Sequence, residues 1–383
     1  MSVVGGIPRE AAVAVADMLD NCARLQAGQE VLILAHIDGL RGGDNVVDEE
    51  AIAWIQSGVN LRGANPTVLW IDEPAKAHAW RFPPVAKAAI GACDVLINNS
   101  FDLITEENVE YREWINERQI VLVRNLATTA PLLCSAWART PYELVSEIRH
   151  RVSLLFEVGS PWKIWDDNGT DLEGTIGPSD NPAFPTYALR REEYGYYRPW
   201  PEWVHPPIVM AGVSGTFVFD SMLSWWTRYI GISPYLEDPI KLTIEDCRIV
   251  DISGGREAEA LKRFLESMRG RLGDAVYDFD TLHSGVHPQA TVCEHQCPNV
   301  LQRRLIDHSH SCNIHVHIGA PQHTASYPYW MHLTGDIRTA SFRVGDKLVH
   351  DKGHLTALDD PAVLAIAAKY PGRPGLGVEP KSC

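Results

Sequence analysis

The run Glu30-Val-Leu-Ile-Leu-Ala35 decides the fold of the first half of the chain. It is short and continuously apolar, and it lies between two stretches with helical periodicity, which is typical of a strand buried in a parallel sheet. The same alternation of helix and strand continues to about residue 150. The predicted helices are 9–24, 47–58, 75–90 and 106–117, and the predicted strands are 30–35, 66–71, 94–98 and 119–123. Right-handed crossovers between such strands predict an α/β, doubly wound, Rossmann-like domain.

The loop after the first strand bears on what this domain binds. It reads His36-Ile-Asp-Gly-Leu-Arg-Gly-Gly-Asp44 and contains neither G-x-G-x-x-G at the required offset nor G-x-x-x-x-G-K-[ST]. These glycine patterns bring backbone amides close to phosphate groups. A bound nucleotide is therefore not expected.

The pattern changes to short strands near residue 150. The predicted strands are 152–158, 161–166, 171–176, 215–220, 240–244 and 247–252, with a helix at 256–271 and a last hairpin of 341–344 with 346–349. Strands of this length separated by turn residues are typical of an antiparallel sheet. We therefore expect two domains, an α/β domain at 1–150 and a β-rich α+β metal-binding domain at 151–383.

Composition and charge exclude several classes of protein. The net charge of −15 and the absence of a basic stripe argue against a nucleic-acid partner. No apolar run reaches the roughly 18–20 residues that span a bilayer, so no membrane partner is expected. The first residues lack the basic segment of a signal peptide. Eight cysteines in a chain of 383 residues without such a signal predict free thiols and a cytoplasmic protein.

Histidines concentrate in one segment. Nine of the fifteen histidines lie between His283 and His332, and three cysteines, Cys293, Cys297 and Cys312, lie in the same stretch. Neutral imidazole is the commonest protein ligand of transition metals. The segment therefore predicts a metal site, and the three cysteines leave open a second, structural zinc.

Aromatic residues cluster at 194–203 and at 327–330. Such clusters suit a flat ligand or an oligomer interface, and the sequence alone leaves both open.

Several motifs of the second half, in this order and spacing, resemble the M29 (thermophilic) aminopeptidase family. They are Gly169-Thr-Asp-Leu172, Gly212-Val-Ser-Gly-Thr-Phe-Val-Phe-Asp220, Val250-Asp-Ile-Ser-Gly-Gly255, Gly285-Val-His-Pro288, Ile314-His-Val-His-Ile-Gly319 and His332-Leu-Thr-Gly-Asp-Ile-Arg338. The resemblance covers roughly residues 10–360. The family includes the 2,5-dihydroxypyridine 5,6-dioxygenases, which open a pyridine ring with a single Fe(II) ion. The resemblance also implies a homo-oligomer.

The chain departs from the peptidase ligand pattern that this resemblance implies. His315 matches the first histidine of the pattern, and His317 replaces an alanine. His332 matches the second histidine, but Thr334 stands where an aspartate is expected. Glu202 is the counterpart of the first glutamate. The second glutamate falls near Thr281 and His283, where the dioxygenase branch uses a histidine.

This exchange of carboxylates for imidazoles has a physical meaning. Two adjacent cations need bridging carboxylates to offset their charge, whereas imidazoles favour a single borderline-soft ion. His283 and His332 with one carboxylate would form the ligand set of a non-haem Fe(II) oxygenase. Asp336 is the first candidate carboxylate and Glu202 the second. A three-histidine set that uses His315 or His317 stays open.

Three further residues are candidates for catalysis. His205 and His317 are candidate acid/base groups, because imidazole titrates near neutral pH. Arg338 is a candidate for pairing with a substrate carboxylate or enolate. His308 and His310 follow Asp307 in a polar run, which favours a solvated or oligomer-contact role.

The sequence thus predicts a ring-cleaving Fe(II) dioxygenase that acts on a small hydroxylated aromatic or N-heteroaromatic compound with O2. The alternative is a metal-dependent hydrolase, an aminopeptidase or amidase with Mn or Zn, in which the ion activates a water molecule. A metal-storage protein without catalysis is the third interpretation.

Overall fold

The computed structural model describes residues 3–4, 6–36, 47–71, 84–99, 114–178, 187, 196–202, 204–205, 207–222, 227, 230–319 and 333–377. The elements of the first part are β1 (Val3–Val4), β2 (Ile7–Pro8), α1 (Arg9–Asp17), β3 (Glu30–His36), α2 (Glu49–Asn60), β4 (Asn65–Ile71), α3 (Pro84–Gly91), β5 (Val95–Asn99), β6 (Val121–Asn125), α4 (Ala130–Leu133), α5 (Ala136–Arg139) and α6 (Tyr142–Ser153). A π-helical turn, Met18–Cys22, extends α1.

The second part is mostly strands. Its elements are β7 (Pro161–Trp165), β8 (Asp171–Ile176), β9 (Tyr197–Trp200), β10 (Ile208–Ser221), β11 (Tyr235–Glu245), β12 (Arg248–Gly254), α7 (Arg256–Leu272), β13 (Phe279–Ser284), α8 (Val300–His308), β14 (Ile314–Ile318), β15 (Leu333–Ile337), β16 (Ser341–Val344), β17 (Lys347–Asp351), β18 (His354–Leu355) and α9 (Pro361–Ala367). Short 3₁₀ segments lie at Gly273–Tyr277 and Thr356–Asp359.

The first sheet is parallel and has the order β4-β3-β5-β6-β9. Alternate residues of β3 enter two separate cores. Ile33 packs with α1 and α2, whereas Leu34 packs with Ala86 and Ile90 of α3. Helices therefore cover both faces, as the continuous apolar run of β3 predicts, and the α/β character of this half is confirmed.

The second sheet is antiparallel, and eleven of its strands lie in the described residues. Its main path is β13-β14-β15-β10-β8-β7-β16-β17-β18, and β11 and β12 branch from β10. Strand β10 has 14 residues, so it pairs with β13 near its start and with β15 at its end. The β-rich character of the second half is confirmed.

Strands β13, β14 and β15 alternate between a core face and a polar face. On the core face, Leu282 lies opposite Val316, and Val316 lies opposite Gly335. Phe217 and Phe219 of β10 lie so close to Gly335 that a Cβ atom there would come within 2.9 Å of both rings. This packing fixes which side of the three strands faces away from the core.

Three details differ from the sequence prediction. The predicted strand 152–158 is wrong, because these residues form the end of α6 and the turns after it. The hairpin predicted around residues 245–246 is present, but its turn is Asp246-Cys247, both with positive φ. Strand β9 lies beyond the predicted boundary at residue 150 and nevertheless joins the first sheet. The division into domains at 150 stays a prediction.

None of the helices in the described ranges combines the length and the apolar character of a membrane span.

Candidate metal centre

Three neighbouring strands place polar side chains side by side. His283 of β13 lies opposite His315 of β14, and His315 lies opposite Asp336 of β15. His317, two residues further along β14, lies opposite Thr334. Directly opposite residues, and residues two apart on one strand, point to the same face of a sheet. One face therefore carries all five side chains.

Three of these side chains are imidazoles that meet at one point. One nitrogen from each of His283, His315 and His317 lies within 4.8 Å of the other two. The ring centroid of His283 lies 4.7 Å from that of His315 and 4.8 Å from that of His317. All three residues are buried. Converging buried imidazoles are the donor set that borderline transition metals prefer.

The ring of His283 is oriented for metal binding. Its Nδ1–H donates to the backbone carbonyl of His205 at 3.1 Å, which leaves Nε2 as the nitrogen with the lone pair. Metal-binding histidines usually donate their second ring nitrogen to a carbonyl or carboxylate in this way, because the bond fixes both tautomer and orientation. His283 therefore has the environment expected of a metal ligand.

His315 provides a test of whether a metal fits. Its Nδ1 is buried and has no hydrogen-bond partner among the described residues. A buried polar atom without a partner is costly, and a bound ion or water removes that cost. The orphaned nitrogen and the all-imidazole set therefore fit a transition metal at this point.

Two of the three imidazoles, those of His283 and His315, have lowered pKa values, which favour the neutral form that binds a cation. Burial lowers the pKa of His283 to about 3. Burial, followed by the neighbouring histidines, also holds the pKa of His315 well below its ordinary value. Metal binding requires the neutral form, so little competition from protons is expected at neutral pH.

Asp336 is engaged by four donors. Its Oδ2 accepts from Arg304 Nη2, from His308 Nδ1 at 2.8 Å and from Asn313 Nδ2 at 2.8 Å. Its Oδ1 accepts from the hydroxyl of Thr334 at 2.9 Å. Burial alone would raise the pKa of Asp336, but the charge of Arg304 and these hydrogen bonds hold the pKa below its ordinary value. Asp336 is therefore a buried, ionised carboxylate.

Helix α8 supplies the partners that the sequence analysis missed. Arg304, Asp307 and His308 lie at spacings of three and four, on one face of the helix. That spacing is the signal that could have identified them. The prediction of a solvated role for His308 and His310 is wrong, because both side chains are buried. The ring of His308 lies 3.7 Å from that of His315.

His205 stacks on His283, with the two ring centroids 5.7 Å apart. Its Nε2 accepts the backbone N–H of Ser284 at 2.6 Å, and its ring packs 4.9 Å from Phe156. Ser284 in turn hydrogen-bonds through Oγ to Nε2 of His350 at 2.6 Å. These contacts place His205 where it supports the end of β13.

The two other predicted residues lie outside the group of three imidazoles. Glu202 is buried near Arg149, whose Nε is 4.0 Å from its Oε1. Arg338 pairs with Asp307, whose Oδ2 also accepts from the hydroxyl of Tyr235 at 2.6 Å. His332 lies outside the described residues. Within the part that the structure describes, neither candidate metal group contains a cysteine.

Comparison with known proteins gives a consistent result. A family model described as NicX, 2,5-dihydroxypyridine 5,6-dioxygenase, matches residues 72–355. Among solved structures, the 2,5-dihydroxypyridine dioxygenase of Pseudomonas putida KT2440 is similar, with 16% identity, a TM-score of 0.61, and coverage of 92% of this chain and 98% of that chain. AmpT from Thermus thermophilus is similar with 12% identity, a TM-score of 0.50, and coverage of 91% and 99%. No curated protein matches by sequence.

At these identities the two structures establish the fold alone. They agree with the M29-like resemblance inferred from the motifs, which is confirmed. The family match covers far more than half of the 383 residues and confirms the prediction of a ring-cleaving dioxygenase. The chain therefore belongs to the 2,5-dihydroxypyridine 5,6-dioxygenase family.

Proposed function

We propose that this enzyme uses a single Fe(II) ion, held by His283, His315 and His317, to open the ring of a hydroxylated pyridine or another small hydroxylated aromatic compound. The observation that carries the proposal is the convergence of three buried imidazoles within 4.8 Å in a chain of this family. The proposed ligand set consists of three histidines, as did one alternative from the sequence, but it contains both His315 and His317 instead of one of them, and Asp336 lies beside the centre.

The donor set supports iron over manganese. Imidazole suits iron, zinc and copper, whereas manganese and magnesium prefer carboxylate and carbonyl oxygen. Zinc has no redox chemistry, so it cannot serve the oxygen reaction of a dioxygenase. When bound, Fe(II) would supply the redox chemistry that lets O2 react with an aromatic ring.

The protein contributes orientation and the exclusion of water. The carbonyl of His205 holds His283 in one tautomer, and the packing of the core face keeps β13 and β14 in register. Burial of the imidazoles excludes competing water. Arg338 is proposed to bind an anionic substrate oxygen. Residues 327–330, the predicted aromatic contact, lie outside the described residues. A cytoplasmic homo-oligomer stays a prediction.

The test is metal analysis of protein purified without oxygen, followed by chelation and reconstitution. We expect about one iron per chain, and we expect only Fe(II) to restore O2 uptake with 2,5-dihydroxypyridine or a related hydroxyaromatic compound. A dioxygenase consumes one O2 per substrate without an added reductant, so the ratio of O2 to substrate should be one.

A matched pair of variants localises the centre. His317→Ala should abolish iron binding and O2 uptake, whereas His354→Ala, at an exposed histidine, should retain both. Zinc or manganese in place of iron, with amide hydrolysis and no O2 uptake, would overturn the proposal in favour of a metallohydrolase.

A further inference from the structure

The buried face contains two overlapping groups that could each hold a metal ion. The first is His283, His315 and His317, and the second is His308, His315 and Asp336. In both groups the ligand atoms lie within 4.8 Å of one another. His315 belongs to both. By donor type alone, the second group is the better site for a dication, because it contains a carboxylate.

The carboxylate of the second group is already engaged by protein donors. A carboxylate has about four lone-pair positions, two on each oxygen. Oδ2 of Asp336 accepts from Arg304, His308 and Asn313, so its positions are filled, and Oδ1 accepts from Thr334. A metal ion could bind Oδ2 only by displacing one of these donors, and Oδ1 retains about one position.

A protein cation already neutralises that carboxylate. Arg304 has a fully buried side chain, and its Nη2 donates to Oδ2 of Asp336. Its Nε and Nη1 are buried without a hydrogen-bond partner in the described part of the chain. A guanidinium stays charged at any pH that the protein experiences. Its charge therefore stays beside the second group under all conditions.

The position of Arg304 is fixed from the helix side. The guanidinium carbon lies 5.9 Å from the centre of the Tyr235 ring. The hydroxyl of Tyr235 donates to Asp307, and Asp307 pairs with Arg338. These contacts connect α8 to β11 and to the end of β15. Arg304 is consequently held where it is, and it cannot move away to admit a second ion at low cost.

We infer that the guanidinium of Arg304 replaces a second metal ion as the positive charge beside Asp336, and that it thereby keeps the centre mononuclear. The guanidinium neutralises Asp336 and bonds to its Oδ2. A dication in the second group would lie next to this positive charge and would share His315 with the first ion. The inference rests on the proposed metal centre at His283, His315 and His317.

The test is metal stoichiometry in Arg304→Met, which keeps the length of the side chain and removes its charge. Apo protein is titrated with Co(II), and bound metal is counted by elemental analysis and by the Co(II) absorption spectrum. We expect one ion per wild-type chain and two per variant chain, with a second set of absorption bands. The double variant Arg304→Met/Asp336→Asn should return to one ion, because it lacks the carboxylate.

Arg304→Lys is the matched control. It retains a positive charge near Asp336 and should still bind one ion. Asp336→Asn in the wild-type background tests the same inference even where Arg304→Met does not fold. Because Asp336 is not a ligand of the first ion, this variant should still bind one Co(II) per chain, and loss of the ion would overturn the inference.

The outcomes separate this inference from the proposed function. A wild-type chain that binds no metal overturns the proposed centre and the inference together. A wild-type chain that binds two ions overturns the inference, and so does a folded Arg304→Met that binds only one. Neither outcome contradicts the proposed ion at His283, His315 and His317.

Discussion

At the scale of single residues, His205 contacts the side chain of one proposed metal ligand, His283, and the backbone of its neighbour Ser284. Its backbone carbonyl accepts a hydrogen bond from Nδ1–H of His283. Its ring Nε2 accepts a hydrogen bond from the backbone N–H of Ser284, the next residue of the strand. Both bonds act on the last two residues of β13. The sequence analysis assigned His205 to acid/base catalysis. Its position in the structure favours a role in orienting His283.

We predict that His205→Phe lowers metal affinity about 10-fold, the smaller end of the effect known for partners of metal ligands. The ring still packs on Phe156, but the N–H of Ser284 loses its acceptor. An unpaired buried N–H also costs about 1–3 kcal/mol of stability. Isothermal titration of the apo protein with Co(II) measures the affinity, and urea unfolding measures the stability.

His205→Gln is the control for this prediction, because its side-chain oxygen can accept the same N–H. Metal affinity should then return to near the wild-type value. If His205→Phe binds metal normally but loses turnover, His205 acts on the substrate instead, as the sequence analysis expected.

The sequence indicated single members of the candidate metal group better than it indicated the group as a whole. His283, His315 and His317 are recognisable because histidines are rare and these occur close together. The role of Asp336 was not recognisable, because its partners Arg304 and Asn313 come from a helix and a loop 32 and 23 residues away. The spacing within α8 indicates that Arg304 and His308 share a helix face, but only tertiary contacts decide that this face meets Asp336.

At the scale of elements, the register of β15 against β10 positions Asp336 and Thr334. Gly335 between them faces the core, where Phe217 and Phe219 lie against it. A small residue is required here because two aromatic rings fill the space that a side chain would occupy. The polar face of β15 therefore depends on a glycine on its core face.

We predict that Gly335→Ala lowers the free energy of unfolding by about 1–3 kcal/mol, the usual cost of overpacking a core. The added Cβ would come within 2.8 Å of Phe219 and 2.9 Å of Phe217, so β15 or the rings must shift. Urea unfolding at neutral pH measures the loss.

Gly270→Ala is the control, because it makes the same chemical change at a position where the added Cβ has space. Gly270 lies inside α7, and a Cβ there meets nothing within 4 Å. Alanine is the better helix former, so this variant should gain about 0.5–1 kcal/mol. Equal losses at both positions would show that the aromatic contacts of Gly335 do not decide its identity.

Elements of the first sheet were predictable from short apolar runs. The predicted strands 30–35, 66–71, 94–98 and 119–123 agree with β3 to β6 within two residues. Burial on both faces accounts for the apolar runs of β3, β5 and β6, whereas the edge strand β4 is partly exposed. The run 152–158 was misassigned to a strand because a short apolar run fits the end of a helix equally well. The place of β9 in the first sheet depends on pairing with β6, some 75 residues earlier, which local sequence does not encode.

At the scale of the whole molecule, the proposed metal bridges only β13 and β14. The large core around β10 and α7 does not involve the ligands. We predict that chelation leaves the far-ultraviolet circular dichroism spectrum unchanged. Fe(II) at 100 times its Kd should raise the free energy of unfolding by about 2.7 kcal/mol. Unfolding of the apo protein upon chelation would contradict this prediction.

The buried histidines make the apo protein sensitive to acid. Burial lowers the pKa of His283, His287 and His350 to about 3. In the unfolded chain each takes up a proton near the ordinary value of 6.5. Their contribution to stability is therefore complete above pH 6.5 and is lost as the pH falls toward 3.

We predict a loss of about 2 kcal/mol per buried histidine between pH 7 and pH 5, measured by urea unfolding of the apo protein. His350→Gln, which removes one titrating group and retains a partner for Ser284, should reduce the loss by about that amount. Gly335→Ala serves as the comparison, because it removes no titrating group and should lower stability equally at both pH values. A His350→Gln variant whose stability falls as steeply as that of the wild type would show that His350 takes up its proton in the folded state as readily as in the unfolded chain.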